Sequence, residues 1–284
     1  MELVTLKDVL EPAERGCYAV GAFNANNMEI VQAIMEAAAE ERSPVILQAS
    51  QGAISYAGLD YIVALVKTAA RGVSVPVVLH LDHGTDFLQV MRCIRSGFSS
   101  VMFDGSRLPL DENIEITRHV VEIGRAVGVS VEGELGKIGG TEDHISVSEK
   151  EVLFTDPVEA QRFVQETGVD ALAVAIGTAH GPYKGRPELD FPRLKRIRDL
   201  TGVSIVMHGA SGVPDEDVRR GIELGIRKIN IDTDLRQSFV GALKGYIAEH
   251  PDNIDPRKVL APAKAAMKEI VRQKMRLFGC AGKA

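Results

Sequence analysis

Three histidines of the sequence are spaced so that they could hold a catalytic metal ion. His83 and His180 follow two of the predicted strands, and His208 ends a third. If these strand ends meet, three imidazole ligands would leave a fourth position open, which is the arrangement of a catalytic zinc site. A single histidine at a strand end is more often a hydrogen-bonded structural residue, so the prediction depends on all three coming together.

Several carboxylates lie close to these histidines in the predicted fold. Asp82 directly precedes His83, where it could act as a general acid or base, or as the hydrogen-bond partner of a histidine. Glu132 and Glu134 alternate to one face of a predicted strand, and Asp104 ends another strand. Side chains with this placement could form buried hydrogen-bonded pairs or a second metal site, and their spacing alone does not decide between these possibilities.

Two segments near the end of the predicted sheet have the composition of a phosphate site. Gly209-Ala-Ser-Gly212 follows the seventh predicted strand, and Asn230-Ile-Asp-Thr233 follows the eighth. Backbone N–H groups in such turns, together with a helix N-terminus, commonly bind phosphate in barrel enzymes. Each segment is a weak indication by itself, but the two together favour a phosphorylated substrate.

Elements that alternate between strand and helix must position these residues. Eight short apolar runs rich in β-branched residues predict strands at 18–23, 44–48, 75–79, 100–103, 129–132, 171–176, 204–207 and 228–231. Segments with helical spacing lie between them, as in Ile30, Ala33, Ile34 and Ala37. The pattern predicts an α/β fold, a (β/α)8 TIM barrel. An open doubly wound sheet is the alternative, but no Gly-x-Gly-x-x-Gly follows the first strand.

The chain has two regions beyond a minimal barrel. Residues 136–155 are polar and glycine-rich, which is typical of a mobile loop over an active site. Residues 232–284 contain two helical patterns, 235–249 and 259–278, and predict a C-terminal helical extension. We therefore expect one domain that spans residues 1–284.

Composition excludes several classes of protein. The 284 residues are 45% apolar and 25% charged, which is typical of a globular chain rather than a disordered one. A net charge of -6 argues against a nucleic-acid partner, and no apolar stretch is long enough to predict a membrane span. The three cysteines, Cys17, Cys93 and Cys280, lack metal-site spacing and suggest reduced thiols, so we expect a cytoplasmic protein.

Several motifs together resemble one known family, the class II zinc-dependent ketose-bisphosphate aldolases. In chain order they are Gly21-Ala-Phe-Asn24, Leu81-Asp-His-Gly84, Glu132-Gly-Glu-Leu-Gly136, Gly139-Gly-Thr-Glu-Asp143, Gly177-Thr-Ala-His-Gly181, His208-Gly-Ala-Ser-Gly212, Lys228-Ile-Asn-Ile-Asp-Thr233 and Asp255-Pro-Arg257. The similarity covers essentially the whole chain.

The resemblance implies a role for each matching residue. His83, His180 and His208 correspond to the zinc ligands, and Asp82 to the acid/base that exchanges a proton with the substrate C4 hydroxyl. Glu142, in the loop, corresponds to the group that moves a proton at C3 of dihydroxyacetone phosphate. The residues implied in substrate binding are Asn24, Gly181, Gly209, Ala210, Ser211, Asn230, Ile231, Asp232, Thr233 and, from a neighbouring subunit, Arg257.

The resemblance also implies further ions and an assembly. Carbonyl groups of Ala179, Gly181 and Gly209 would hold a monovalent cation, Na⁺ or K⁺. Asp104 and Glu134 correspond to positions of a displaced or second metal ion. An arginine that reaches a neighbouring site requires at least a homodimer, and a homotetramer is equally compatible.

The leading functional prediction is reversible cleavage of fructose 1,6-bisphosphate to dihydroxyacetone phosphate and glyceraldehyde 3-phosphate, a glycolytic lyase reaction. Tagatose 1,6-bisphosphate is an alternative, because residues 175–180 and 279–284 are similar to tagatose-type members. Residues 98–106 are similar to the inositol-route 6-phospho-5-dehydro-2-deoxy-gluconate aldolase. From other classes, a zinc-dependent phosphosugar hydrolase and a non-catalytic phosphosugar-binding protein remain alternatives, and triose release would exclude both.

Overall fold

A computed structural model describes residues 2–142, 145–148, 152–183 and 185–284. For residues 142, 145 and 146 it describes the backbone and not the side chain. The strands of these residues are β1 Val20–Asn24, β2 Val45–Ser50, β3 Val77–Gly84, β4 Ser100–Phe103, β5 Ser130–Leu135, β6 Gly139–Glu142, β7 Ile145–Val147, β8 Ala171–Val174, β9 Ala179–His180, β10 Ser204–Met207 and β11 Ile226–Ile231. Their helices are α1 Leu6–Gly16, α2 Met28–Glu41, α3 Gln51–Ala57, α4 Leu59–Arg71, α5 Phe87–Ser96, α6 Leu110–Val127, α7 Pro157–Thr167, α8 Phe191–Thr201, α9 Asp215–Glu223, α10 Thr233–Glu249 and α11 Pro256–Leu277.

Eight of these strands close into a parallel barrel in the order β1, β2, β3, β4, β5, β8, β10 and β11. Each of the eight predicted runs contributes one barrel strand, so the predicted (β/α)8 fold is confirmed. Strands of a parallel barrel are covered by helices outside and packed inside, which explains their nearly continuous apolar sequences. Because parallel strands all end at the same rim, residues that follow each strand come together there.

Local capping signals set the helix boundaries. The Asp156 side chain accepts hydrogen bonds from Val158 and Glu159 at the start of α7, and Gly168 ends that helix at φ 67°. A capping aspartate and a left-handed glycine are typical start and stop signals of a helix. Helix α1 was not among the predicted elements. It buries Leu6 and Leu10, and its flanking Val4 donates to the carbonyl of Val77 at the amino-terminal end of the barrel.

Strand β2 is followed by two helices instead of one. The backbone turns at Gly58, which ends α3 and precedes α4.

Among the described residues no single helix is long and apolar enough to cross a membrane. Helices α3 and α4 taken together have the length and composition of a membrane span, but they meet at an angle of 95°.

The loop predicted at residues 136–155 contains regular structure in its described part. Strands β6 and β7 form an antiparallel hairpin, and β6 also pairs in parallel with β9. Residues 143, 144 and 149–151 lie outside the described residues. Whether this segment is mobile, as predicted, is not tested by one conformation and stays a prediction.

The two predicted C-terminal helices are present as α10 and α11, which pack against each other, and α11 also packs along α2. A row of ion pairs with N···O distances of 2.6 to 3.7 Å joins α11 to α2. It connects Lys264 to Glu36, Lys268 to Glu36 and Glu40, Arg272 to Glu40 and Glu41, and Arg276 to Glu41. Because basic residues of α11 face acidic residues of α2 along the contact, this row helps to hold α11 against the barrel.

We expect Glu41→Gln to lower the free energy of unfolding of the metal-free protein by about 1.5–3 kcal/mol, because hydrogen bonds to charged groups are worth about that much. The Glu41 side chain is only 10% exposed and accepts from both Arg272 and Arg276. The hydrogen bond from Arg276, opposed by burial and supported by Arg272, lowers the pKa of Glu41. Its stabilising effect is therefore present above its unfolded-state pKa and is lost as the pH falls through the lowered pKa.

Urea unfolding at neutral and acidic pH would measure this difference. Glu40→Gln is the matched control, because Glu40 lies in the same row with a side chain that is 43% exposed. Exposed pairs contribute about 0–1 kcal/mol, so we expect a smaller loss there. Equal losses for the two variants would show that the burial of Glu41 does not matter.

Candidate active site

The three predicted metal ligands come together at the carboxyl-terminal rim of the barrel. The ring centroids of His83 and His208 are 4.7 Å apart, and that of His180 lies 5.1 Å from His83 and 5.9 Å from His208. One nitrogen from each ring lies within 4.8 Å of the other two. The structure therefore brings the predicted set into a geometry that could surround one ion.

Different elements supply the three histidines. His83 lies within the end of β3, and not after it as predicted, while His208 directly follows β10. His83 has φ 49°, and the other two non-glycine residues with positive φ among the described residues, Cys17 and Arg42, are helix C-caps. Left-handed backbone at a strand end is unfavourable for a residue with a Cβ and is found most often at functional sites. His180 lies in β9, beyond the end of barrel strand β8.

Carboxylates orient two of the rings. His83 donates through Nδ1 to Asp104 Oδ2 at 2.9 Å, and His208 donates through Nε2 to Glu132 Oε1 at 2.9 Å. The remaining nitrogens, Nε2 of His83 and Nδ1 of His208, are 3.0 Å apart. A carboxylate that accepts from one ring nitrogen leaves the other directed at a metal, as in many zinc sites.

The charges around His83 shift the pKa values of this cluster. Burial by itself would lower the pKa of His83, but Asp82, Asp104 and Glu134 raise it well above its usual value. For Asp104, burial is outweighed by the hydrogen bond and charge of His83 and by Ser106, and its pKa is lowered. For Glu134, burial and the charge of Asp104 raise the pKa well above its usual value. In the metal-free chain these shifts favour the charged form of His83 and the neutral form of Glu134.

Asp104 and Glu134, the predicted second metal pair, lie beside His83. With His83 they form a second group whose ligand atoms are all within 4.8 Å of one another. Asp104 Oδ1 also accepts from the backbone and the hydroxyl of Ser106. The arrangement suits a carboxylate that orients His83 as well as one that holds an ion.

A buried charged pair below the histidines was missed by the sequence analysis. Lys228 Nζ lies 2.9 Å from Glu132 Oε2, and both side chains are fully buried inside the barrel. The buried His80 lies 3.5 Å from both partners, and burial and the charge of Lys228 lower its pKa well below the usual value. A lysine inside an apolar strand is the signal that could have predicted this pair.

Asp82 is surrounded by amide groups. Its carboxylate accepts from Asn24 and Gln48 at 3.2 and 2.9 Å, and from Asn230 at 3.3 Å. Gln48 Oε1 and Asn230 Oδ1 are buried without a hydrogen-bond partner among the described residues. Buried polar atoms rarely lack a hydrogen-bond partner in folded proteins, which indicates that a ligand or a water molecule donates to these two oxygens. Asn24 was predicted here, and Gln48, an amide at the end of an apolar strand, was missed.

A pocket of about 280 Å³ opens beside the histidines. The predicted binding residues in its wall are Gly181, Gly209, Ser211, Asn230, Asp232 and Thr233. Arg236 also lines it and was not predicted, although it stands one helical turn after Asp232 and pairs with that carboxylate at 2.8–2.9 Å. The side chains of Ala210 and Ile231 are buried in the hydrophobic core instead, and neither residue lines this pocket.

One predicted residue lies away from this cluster in its own chain, and the side chain of another lies outside the described residues. Arg257 is 90% exposed on α11, where it pairs with Asp255 at 2.9 Å. Glu142 has its backbone in β6, and its side chain lies outside what the structure describes. A larger cavity, of about 540 Å³, lies near Lys67 and Arg95 at the opposite end of the barrel and contains none of the predicted site residues.

Comparisons with known proteins match this chain over nearly its full length. A family model described as "Fructose-bisphosphate aldolase class-II" matches residues 4–283. The fructose-bisphosphate aldolase of Geobacillus stearothermophilus is 48% identical, with 100% of this chain and 99% of the relative covered. That of Thermus caldophilus is 46% identical, with 99% and 100% covered. The crystal structure of the YdjI aldolase from Escherichia coli K12 superimposes with a TM-score of 0.87 at 34% identity, covering 99% of both chains.

Proposed function

The chain belongs to the class-II fructose-bisphosphate aldolase family, and we propose that it catalyses the reversible cleavage of fructose 1,6-bisphosphate to dihydroxyacetone phosphate and glyceraldehyde 3-phosphate. This family is the one that the sequence motifs resemble. The observation that carries the proposal is the cluster of three histidines beside Asp82 and a pocket of about 280 Å³.

The metal that this site would hold is zinc. Three imidazole nitrogens, two of them on rings that donate to carboxylates, match the ligand set of a catalytic zinc site with an open position. Bound zinc would act as a Lewis acid that stabilises the negative charge created when the substrate C3–C4 bond breaks. With such an acid, no lysine is needed to form a Schiff base with the substrate.

Two carboxylates would carry the protons. Asp82 would take the proton of the C4 hydroxyl, so that C4 becomes the aldehyde of glyceraldehyde 3-phosphate while the electron pair of the C3–C4 bond stays on C3. Glu142 would then deliver a proton to C3 to complete dihydroxyacetone phosphate. The amides of Asn24, Gln48 and Asn230 support the first role, because their hydrogen bonds hold the Asp82 carboxylate beside His83.

The triose phosphate end of the substrate would occupy the pocket beside His180. Helix α10 begins at this pocket and has no side-chain cap at Asp232, although the Asp234 N–H donates to the Ser211 hydroxyl at 3.2 Å. The partial positive charge of the helix N-terminus would favour an anion here. Gly181, Gly209 and Ser211 would add backbone and hydroxyl donors, and Arg236 would add positive charge. The carbonyls of Ala179, Gly181 and Gly209 would hold a Na⁺ or K⁺ ion.

Assembly and location belong to the same proposal. Arg257, exposed and remote from the pocket of its own chain, would bind the second phosphate of a neighbouring subunit in a homodimer or homotetramer. Its guanidinium donates to Asp255 on the same short segment and stays 90% exposed. The three free cysteines support a reducing, cytoplasmic setting.

Triose phosphate release by the zinc-loaded protein tests the function. Fructose 1,6-bisphosphate and tagatose 1,6-bisphosphate would be compared side by side, before and after removal of the metal by a chelator. We expect chelator-sensitive release with a higher kcat/KM for the fructose substrate. Preference for the tagatose epimer would change the assigned substrate, and release of inorganic phosphate without triose would indicate a hydrolase.

Zinc affinity is expected to keep rising with pH above neutrality. Because neighbouring carboxylates raise the pKa of His83, this residue keeps its proton at pH values where an ordinary histidine has lost it. The proton must leave before the imidazole can bind metal. As long as the pH is below the raised pKa, each increase of one pH unit should therefore strengthen zinc binding by up to about tenfold. Competition with a chelator from about pH 6 to about pH 8 would measure this, and affinity that levels off near the ordinary histidine pKa of about 6.5 would contradict it.

A further inference from the structure

His180 differs from the other two histidines in how it is held. His83 and His208 lie in or directly after barrel strands, whose hydrogen-bonded ladders fix their backbones. His180 comes only after a further segment, 175–179, that leaves the barrel at the end of β8. A metal site needs ligands fixed within fractions of an ångström, so this segment needs support from outside the barrel.

One side of the segment is held by backbone pairing. Gly139 and Gly140 of β6 pair with Ala179 and His180 of β9. The opposite side meets the turn after His208, where a Cβ on Gly209 would collide with the carbonyl oxygen of Ala179. The chain segments that carry His180 and His208 thus touch through their backbones.

The side chain of Tyr183 connects these two segments. The backbone N–H of Ala179 donates to the Tyr183 hydroxyl oxygen at 2.8 Å, and that hydroxyl donates to the carbonyl oxygen of Gly209 at 2.8 Å. Ala179 precedes His180 directly, and Gly209 follows His208 directly. The Tyr183 ring is half-buried and lies against Gly212, where a Cβ would approach it to 3.3 Å.

We propose that Tyr183 is a positioning residue whose hydroxyl fixes the backbone of His180 relative to that of His208 and thereby sets the affinity of the three-histidine site for zinc. The inference rests on the proposed metal site and concerns a residue that touches neither metal nor substrate. The same contact aligns the Ala179 and Gly209 backbones in the wall of the pocket beside His180.

A phenol suits this place because it can accept and donate at once. The Ala179 N–H needs an acceptor and the Gly209 carbonyl needs a donor, and a neutral hydroxyl is both. Burial, opposed by the hydrogen bond from Ala179, raises the pKa of Tyr183 to about 12, so the hydroxyl keeps its proton at the pH of the cell. Phenylalanine would keep the ring contact with Gly212 and remove both hydrogen bonds.

Zinc binding to Tyr183→Phe tests the proposal. We expect the zinc Kd to rise about 10- to 100-fold, the range seen when hydrogen-bonded supports of metal ligands are removed. The metal-free melting temperature should fall by only a few degrees, about the effect of one lost interaction in a chain of this size. Tyr246→Phe is the matched control, because its hydroxyl accepts a hydrogen bond from Asn253 in the turn between α10 and α11; its zinc Kd should equal that of the unaltered protein.

The outcomes separate this inference from the proposed function. An unaltered Kd in folded Tyr183→Phe would overturn the positioning role while leaving the metal site intact. Failure of the unaltered protein to bind zinc would overturn the metal site itself. If Tyr183→Phe does not fold, 4-aminophenylalanine at this position keeps a donor to Gly209, and it should fold and bind zinc more tightly than alanine at the same position. Equal affinity of these two variants would also overturn the proposal.

Discussion

Asp82→Asn should lower kcat for triose phosphate release by about 10²- to 10⁴-fold, the range that a positioned general acid–base contributes. Asparagine has the same shape but cannot take up a proton. It also places an amide donor where Asn24, Gln48 and Asn230 now donate, so one or more of these hydrogen bonds must be lost. Because Asp82 is not among the clustered ligand groups, zinc stoichiometry should stay at that of the unaltered protein. Steady-state kinetics together with metal analysis would measure both effects.

Asp86→Asn is the control for this substitution. Asp86 caps α5 four residues later at the same rim, and its side chain accepts from Leu88 and Gln89. Asparagine caps helices about as well as aspartate, so this variant should keep nearly full activity. If Asp82→Asn retains activity comparable with Asp86→Asn, Asp82 does not transfer the proton and another group must be sought at C4.

The architecture could be predicted from sequence because local and tertiary requirements agree along most of the chain. Parallel barrel strands are buried on both faces, so β2 and β10 appear as short continuous apolar runs. Helix α7 carries its own start and stop in Asp156 and Gly168. Strand β6 is different, since Gly139-Gly-Thr-Glu142 has little strand propensity. Its extended form follows from pairing with β7 and β9, which no local pattern indicates.

The site was predictable to the extent that the strand ends determine it. Each of the three histidines stands at or after a predicted strand, and closure of the barrel brings them together. Lys228 and Gln48 escaped prediction because they interrupt apolar runs, and only tertiary structure shows that Lys228 meets Glu132 and that Gln48 meets Asp82. The bond from Tyr183 to Gly209 joins residues 26 positions apart, and no spacing rule predicts it.

His208→Ala should have the largest effect of any single change at this site. It removes one of three proposed zinc ligands, so zinc affinity should fall by more than the roughly 10- to 100-fold expected for a supporting residue. Triose release should drop to that of the chelated, unaltered protein, and added zinc should not restore it. The substitution also removes the hydrogen bond between His208 and Glu132. Glu132 is still paired with the buried Lys228 after this change. Because this carboxylate stays paired, we expect the metal-free variant to fold.

Comparison with His119→Ala separates ligand loss from general damage. His119 is exposed on α6, away from the rim, so its removal should leave zinc affinity and turnover unchanged. Circular dichroism and the melting temperature of both metal-free variants would establish that they are folded. A folded His208→Ala variant that binds zinc as tightly as His119→Ala would show that the ion is held elsewhere. The group of His83, Asp104 and Glu134 would then be the place to look for it, because its ligand atoms do not include His208.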